Sequence, residues 1–135
     1  MLLLDTNVCI SLIRGRPHQV RGRFERALSG GQAMNVSTIT IFELWYGVPK
    51  SAKPATNKAR VETFLVGPFT ILDFDADDAG VAGLLRAKLE KQGQPIGAYD
   101  LLIAAQGVRH GMTVVTNNLK EFKRVPGLSL EDWTL

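Results

Sequence analysis

Three acidic residues lie where the chain is otherwise most apolar. Asp5 ends the run MLLLD, Glu43 lies within TITIFELWYG, and Asp100 lies within PIGAYDLLIAA. An ionised carboxylate close to a protein core costs much free energy unless a partner or a bound metal compensates its charge. These three residues are therefore the first candidates for chemistry in this sequence.

Each of the three acids also has a purely structural explanation, because Asp caps helices and acidic residues favour the first helical turn. Thr40 and Glu43 have the spacing of a capping box, which makes a cap the better explanation for Glu43 taken alone. For Asp5 and Asp100, a helix start and a functional site explain the residue equally well. Their placement in a common fold must decide between these alternatives.

The elements that must position the acids are short apolar strands that alternate with helices. The continuous run Leu2 to Leu4 is typical of a strand buried on both faces and predicts the central strand of a parallel sheet. We predict the other strands over residues 33–36, 69–72, 112–115 and 128–130, and helices over 6–14, from 17 onward, and over 40–47, 55–65, 75–92, 100–110 and 120–124. A loop with two prolines should separate the helices at 49–54. This alternation favours an α/β fold whose ligands bind beyond the carboxyl ends of the strands.

The three acids and the turn 116–118 can all reach that one edge of the sheet. Two carboxylates about 4 Å apart repel by roughly 4 kcal/mol at an effective dielectric constant near 20, so a bound cation is the natural remedy. The ligands are oxygens, and no Cys and His spacing suits zinc, which favours Mg²⁺ or Mn²⁺. Such a centre serves phosphoryl chemistry, because the cation activates water and neutralises charge on the phosphorus oxygens.

Length and charge bound the class of protein and its substrate. The chain has 135 residues and 45% hydrophobic content, which predicts a single domain over residues 1–135. Residues 1–70 carry nine Lys or Arg against four acids, whereas residues 71–135 carry seven against nine. Five of the cations, Arg14, Arg16, Arg21, Arg23 and Arg26, suit a phosphate backbone or an acidic partner segment, although a solvated helix face explains them equally well. A polyanionic nucleic acid is therefore favoured over a small phosphoester.

Several other classes are disfavoured. A single cysteine, Cys9, excludes an internal disulfide framework, and the sequence has neither a signal-peptide pattern nor an apolar run of transmembrane length, so we expect a cytoplasmic protein without a membrane partner. A phosphoacceptor receiver domain would need an acidic pair after the first strand and a Lys after the last core strand. This sequence has neither of them. A phosphatase of the haloacid-dehalogenase type would need an acid where Asn7 stands.

Four segments of the chain, in order, resemble the motifs of the PIN-domain ribonucleases, and within them of the VapC toxins of bacterial toxin–antitoxin pairs. The segments are LLLDTNVCISLI, STITIFELWYGV, IGAYDLLIAAQ and VTNNLKEFKRVPGLSLEDW. The resemblance implies a three-layer α/β/α PIN-like fold with a central, mostly parallel five-stranded sheet. It also implies that Asp5, Glu43 and Asp100 bind the metal at the catalytic centre. Asn118 takes the fourth position, which is often acidic across the wider family, so we expect one firm metal site and at most a weak second.

The resemblance further implies the toxin of a type II toxin–antitoxin system, a Mg²⁺-dependent endoribonuclease for which Mn²⁺ can substitute. Water activated by the metal would attack the RNA phosphodiester in line and leave a 5′-phosphate and a 3′-hydroxyl. Implied partners are a VapB-like antitoxin that inhibits the enzyme, the RNA substrate, and a second copy in a homodimer that forms a heterotetramer or larger assembly with the antitoxin. The alternative is a catalytically silent PIN-like module that binds protein or RNA, which the retention of all three acids disfavours.

Residues around the acids receive secondary roles. We predict that Thr6, Asn7 and Thr116 position the substrate, with helix caps and turns as the equal alternative. Arg14, Arg16, Arg21 and Arg23 are predicted contacts for RNA or antitoxin. Glu121 lies one helical turn from Asn118, and a surface role in its helix is favoured over the alternative that it supplies the missing charge through a water. Trp45 and Tyr46 are assigned to core or dimer packing rather than to base stacking.

Overall fold

A computed structural model describes all residues, 1–135, as five strands and seven helices. The strands are β1 (Leu2–Leu4), β2 (Met34–Ser37), β3 (Thr70–Leu72), β4 (Thr113–Val115) and β5 (Ser129–Glu131). The helices are α1 (Thr6–Arg14), α2 (His18–Ser29), α3 (Thr38–Lys50), α4 (Pro54–Leu65), α5 (Ala76–Lys91), α6 (Ala98–His110) and α7 (Leu119–Phe122). None of these helices combines the length and the apolar character that a membrane span requires.

The five strands form one sheet in the order β3-β2-β1-β4-β5, and every neighbouring pair is parallel. The predicted central position of β1 is therefore confirmed, and the sheet is fully rather than mostly parallel. Leu2 and Leu4 pack into a core with residues of α1 to α4, while Leu3 packs into a second core with residues of α5 and α6. The alternation of side chains along β1 thus joins the layers of an α/β/α sandwich, as predicted.

Helix α6 lies unusually close to the sheet because it has no side chain at Gly107. A Cβ atom there would stand 2.7 Å from Cγ2 of Val114 and 2.9 Å from Cδ1 of Leu128. Both distances are shorter than van der Waals contact, so any larger residue would push the helix away from β4. The position of Asp100, near the start of the same helix, depends on this approach.

A polar network holds the far part of α6 against the start of α5. The buried carboxylate of Asp78 accepts hydrogen bonds from Arg109 at 2.9 Å and from Gln106 at 3.1 Å, and it forms a capping box with Asp75. Burial opposes the charge, yet the hydrogen bonds from Arg109, the Asp75 backbone and Gln106 outweigh it and lower the pKa of Asp78. Because hydrogen bonds are directional, this network fixes the orientation of α6 relative to α5 more closely than apolar packing alone would.

The largest boundary error concerns α3, which we predicted over residues 40–47. It begins at Thr38, because the Ser37 hydroxyl accepts the backbone N–H of Ile39 and caps the helix. It also continues through Pro49 to Lys50, so the predicted loop is shorter than expected. Proline is tolerated there because only one hydrogen bond of the last turn is lost. The ends of the other predicted elements differ from the structure by one or two residues.

Candidate active site

Asp5 follows β1 at the centre of the sheet and is almost fully buried, with 1% of its surface exposed. Its Oδ1 atom accepts the backbone N–H of Val8 at 2.9 Å, so it is also the N-cap of α1. Burial raises the pKa of Asp5 to about 6, against hydrogen bonds from Thr116 and Val8, and the charges of Asp100 and Glu43 raise it further. The structure therefore shows that Asp5 caps α1, and its role in a functional site stays a prediction.

Glu43 lies in the second turn of α3 and is half-buried. The predicted capping box is wrong, because Ser37 caps the helix and Thr40 lies inside it. The Oε1 atom of Glu43 instead accepts the hydroxyl of Thr6 at 2.7 Å, and that hydroxyl lies 3.1 Å from the buried hydroxyl of Thr40. A residue of α1 thus orients an acid of α3.

Replacing Thr6 by Val should loosen Glu43 without removing it. The variant keeps the shape of the side chain and loses the donor, so we expect RNA cleavage to fall about 10-fold, with metal affinity falling in parallel. Thr6→Ser keeps the hydroxyl and should retain most activity. Steady-state cleavage rates at several metal concentrations test this, and equal rates for the Val and Ser variants would contradict the role of the hydrogen bond.

Asp100 lies in the first turn of α6, where Gly97 rather than an acid occupies the N-cap position. It is half-buried, and its Oδ2 atom accepts the side-chain N–H of Asn118 at 3.2 Å. Burial raises the pKa of Asp100, the hydrogen bond from Asn118 lowers it, and the charges of Glu121 and Glu43 raise it. The charge of Glu43 thus acts on both Asp5 and Asp100, and that of Asp100 acts on Asp5, so the three acids share one electrostatic neighbourhood.

Asn118 connects a fourth acid, Glu121, to this neighbourhood. From the sequence we predicted a surface position for Glu121. The Nδ2 atom of Asn118 donates to Oε2 of Glu121 at 2.6 Å as well as to Asp100, and the backbone N–H of Gly97 donates to Oε1 of Glu121 at 3.0 Å. The hydrogen bonds from Asn118 and Gly97 lower the pKa of Glu121. The sequence signal for this contact is the spacing of three residues between Asn118, the N-cap of α7, and Glu121 within it.

The predicted positioning residues lie at different depths. Thr6 is buried and bonded to Glu43, and Thr116 is buried, accepts the backbone N–H of Asn118 at 2.9 Å and hydrogen-bonds Asp5. Both therefore act on the acids and the turn rather than pointing to solvent. Asn7 is exposed beside Thr6, and its contact with substrate stays a prediction.

The four predicted contact arginines fall into two pairs. Arg21 donates to the backbone oxygen of Leu12 at 2.9 Å, and Arg23 pairs with Glu131 at 3.8 Å. Arg14 and Arg16 are exposed at the end of α1 and make no ion pair or side-chain hydrogen bond. Contact with RNA or antitoxin stays a prediction for all four arginines. Arg23 alone among them pairs with an acid, and Arg14 and Arg16 make no side-chain contact of either kind.

The acids suit a divalent cation in their chemistry, although they do not converge as a chelating cluster. No three His, Cys, Asp or Glu side chains lie close enough together to grip an ion as they stand. Each carboxylate accepts a hydrogen bond from its own donor: Val8 for Asp5, Thr6 for Glu43 and Asn118 for Asp100. Hard carboxylate oxygens are the ligands that Mg²⁺ or Mn²⁺ prefers.

Comparison with known proteins decides the family. The sequence model of the PIN domain matches residues 2–128. The chain belongs to the PIN-domain family. It is 44% identical over 131 residues to the tRNA(fMet)-specific endonuclease VapC of Salmonella typhimurium, covering 97% of this chain and 96% of that one. It is also 41% identical over 131 residues to ribonuclease VapC2 of Rickettsia felis, with 97% and 96% covered.

Solved structures agree with the sequence relatives. The crystal structure of VapBC2 from Rickettsia felis bound to a promoter DNA fragment matches with a TM-score of 0.89 at 39% identity, over 98% of each chain. DNA-bound VapBC from Salmonella typhimurium matches with a TM-score of 0.87 at 44% identity, over 98% of this chain and 97% of that one. Within the PIN-domain family the chain is thus a VapC-type ribonuclease toxin, as the sequence motifs predicted. The nucleases of this family generally use divalent metals.

Proposed function

We propose that this PIN domain hydrolyses RNA phosphodiester bonds with Mg²⁺, for which Mn²⁺ can substitute, at Asp5, Glu43 and Asp100. The observation that carries the proposal is the position of Asp5, almost fully buried at the carboxyl end of the central strand, with Glu43 held by a hydrogen bond from the adjacent Thr6. Burial raises the pKa of Asp5, and the charges of Asp100 and Glu43 add to that effect. A site that holds several carboxylates against their own repulsion is one whose working state includes a cation.

Each side chain has a defined task in the proposed reaction. Asp5, Glu43 and Asp100 would hold the cation, and Asn118 donates to Asp100 and orients it. When bound, a divalent ion lowers the pKa of water and neutralises charge on the phosphorus oxygens. Water attacks phosphorus in line with the leaving 3′-oxygen, the P–O3′ bond breaks, and the proton lost by water is matched by one gained at the 3′-oxygen. The products are a 5′-phosphate and a 3′-hydroxyl.

We propose a transfer RNA as the substrate. Relatives from Salmonella typhimurium and Shigella flexneri that are 44% and 45% identical to this chain carry the name tRNA(fMet)-specific endonuclease. Both alignments span at least 96% of each chain, so the surfaces around the acids have direct counterparts. The initiator transfer RNA is therefore the first substrate to test.

The decisive experiment incubates purified protein with initiator and elongator transfer RNA transcripts, with Mg²⁺, with Mn²⁺ or with EDTA. We expect cleavage of the initiator transcript with either metal, none with EDTA, and a loss of about 10³-fold in Asp100→Asn. Mapping the product ends tests the 5′-phosphate and the 3′-hydroxyl. Equal cleavage by wild type and Asp100→Asn would contradict the proposed site. Equal cleavage of both transcripts would contradict a preference for the initiator transfer RNA, and cleavage of neither would contradict a transfer RNA substrate.

We propose two protein partners. The first is a VapB-like antitoxin, because the neighbouring structures from Rickettsia felis and Salmonella typhimurium are VapBC complexes. A co-expressed VapB-like protein that fails to suppress cleavage would contradict it. In such an assembly, binding to promoter DNA would belong to the complex rather than to this chain.

The second partner is another copy of this chain. Phe42, Tyr46 and Tyr99 form an exposed aromatic surface across α3 and α6, with ring centroids 6.2 Å apart for Phe42 and Tyr46 and 5.6 Å apart for Phe42 and Tyr99. Trp45 is exposed next to it, so dimer packing remains our assignment for Trp45 and Tyr46, whereas core packing is wrong for them. A molar mass of one chain by light scattering would contradict the homodimer.

A further inference from the structure

A cavity of about 440 Å³ opens beside Glu43, between α1, α3 and α4. Glu43 forms part of its wall, so the cavity is continuous with the candidate active site. The proposed hydrolysis needs only the scissile phosphate at the acids. The cavity therefore has no task in the reaction described so far.

Three arginines line this cavity, two from the end of α1 and one from α4. They are Arg14, Arg16 and Arg60. Arg60 follows the other two by 44 residues or more in the sequence, so only folding brings the three together. All three are exposed, and none forms an ion pair or a side-chain hydrogen bond within the chain. Guanidinium groups that make no internal contact and converge on one concave surface suit phosphate, which they bind through paired N–H donors.

The rest of the lining is suited to a flat organic group. Ile13, Val48 and Val61 supply an apolar floor, and Asn57 and Ser51 supply polar groups at the edge. The volume lies within the range of small-ligand sites, which pair apolar walls with a few polar anchors. A lining that combines apolar side chains with three exposed arginines matches the two halves of a nucleotide, its base and its phosphate.

We propose that this cavity is a subsite for a nucleotide of the RNA strand next to the scissile bond, with its phosphates on Arg14, Arg16 and Arg60. The proposal rests on the proposed ribonuclease function. RNA is favoured over a protein segment because the cavity shares Glu43 with the reaction site, so the strand that brings its phosphate to the acids must pass this wall. The positive charge there also draws the polyanion toward an otherwise acidic centre.

Arg60→Ala and Arg14→Ala test the subsite, with Arg26→Ala as the matched control. Arg26 is an exposed arginine of the same basic half, makes no ion pair and lies outside the cavity. Binding of a fluorescent transfer RNA transcript is measured at several salt concentrations in the Asp100→Asn background, which prevents turnover. Steady-state cleavage is measured in the otherwise wild-type chain.

For each cavity variant we expect Kd and KM to rise about 10-fold, kcat to stay within about twofold, and the salt slope of binding to fall by about 1. Arg26→Ala should stay within about twofold of its parent in all four quantities. The double variant Arg14→Ala/Arg60→Ala should lower the slope by about 2.

The outcomes separate the subsite from the function on which it rests. RNA binding by the cavity variants that equals that of Arg26→Ala overturns the subsite, and weakened inhibition by a VapB-like protein with normal RNA binding would assign the cavity to the antitoxin. If wild type binds but does not cleave RNA while the cavity variants lose binding, the subsite stands and the proposed hydrolysis fails. Circular dichroism and thermal unfolding that match wild type show that lost binding is not lost folding.

Discussion

Asp5→Asn is expected to lower RNA cleavage by about 10³-fold, because it removes a charged ligand of the proposed metal site at the centre of the sheet. Asn keeps the size of the side chain and remains a good N-cap, so α1 should keep its start. The loss should therefore appear in cleavage and in metal binding, with the fold intact. Initial rates on the transfer RNA transcript and calorimetric titration with Mn²⁺ measure the two effects.

The same substitution is expected to stabilise the metal-free protein at neutral pH. The pKa of Asp5 is raised to about 6 from the ordinary value of 3.8, because burial penalises its charge. Above pH 6 the carboxylate is charged in both the folded and the unfolded chain, and a shift of this size lowers the free energy of unfolding by about 3 kcal/mol. Asn carries no such charge, so Asp5→Asn should raise the unfolding free energy at pH 7 by about 1 to 3 kcal/mol.

The sign of the pH dependence follows from proton binding. Between the two pKa values the folded chain holds more protons than the unfolded chain, so the contribution of Asp5 to stability falls as pH rises from about 4 to about 6. The advantage of Asp5→Asn over wild type should therefore shrink as pH is lowered through this window. Urea unfolding in EDTA at pH 4.5 and pH 7 measures it.

Glu62→Gln serves as the control for Asp5→Asn, because Glu62 is an exposed acid of α4 that forms no ion pair. It should change neither cleavage nor the pH dependence of stability. A wild-type protein that is as stable as Asp5→Asn at pH 7 without metal would contradict the electrostatic cost of the site. Full cleavage by Asp5→Asn would contradict its role as a ligand.

Glu121→Gln is expected to reduce cleavage by about 10-fold to 100-fold, the range found for residues that orient metal ligands. The carboxylate of Glu121 accepts from Asn118 at 2.6 Å, and Asn118 in turn donates to Asp100 at 3.2 Å. Removing the charge weakens the bond that holds Asn118 and lowers the negative potential around Asp100. The midpoint of activation by Mg²⁺ should rise together with the loss of rate.

Glu90→Gln is the matched control, because Glu90 is an exposed acid of α5 whose partner is Arg86 at 3.7 Å on the same helix. If Glu121→Gln and Glu90→Gln cleave RNA equally well, Glu121 only anchors the backbone at Gly97 and takes no part in the site. A normal rate at saturating Mg²⁺ with a raised activation midpoint would restrict its role to metal affinity.

The sequence by itself determined the family, the alternation of strands and helices and the three principal acids. These properties depend on local composition: the apolar run of β1, the helix stops at Gly15 and Gly111, and acids inside apolar segments. A strand that is buried on both faces, such as Leu2 to Leu4, must be apolar at every position, so its burial can be inferred from the sequence alone. For the same reason the central place of β1 in the sheet followed from sequence.

Only the tertiary structure decided how the acids are held. Thr6 with Glu43, and Asn118 with Glu121 and Asp100, are contacts between different elements, and no local pattern encodes which donor reaches which carboxylate. The capping-box spacing of Thr40 and Glu43 misled for this reason, since the helix starts two residues earlier at a different cap. Arg60 and Arg14 likewise come together beside Glu43 only when α1, α3 and α4 pack. The positions of charged residues in the sequence do not show which surface each side chain faces.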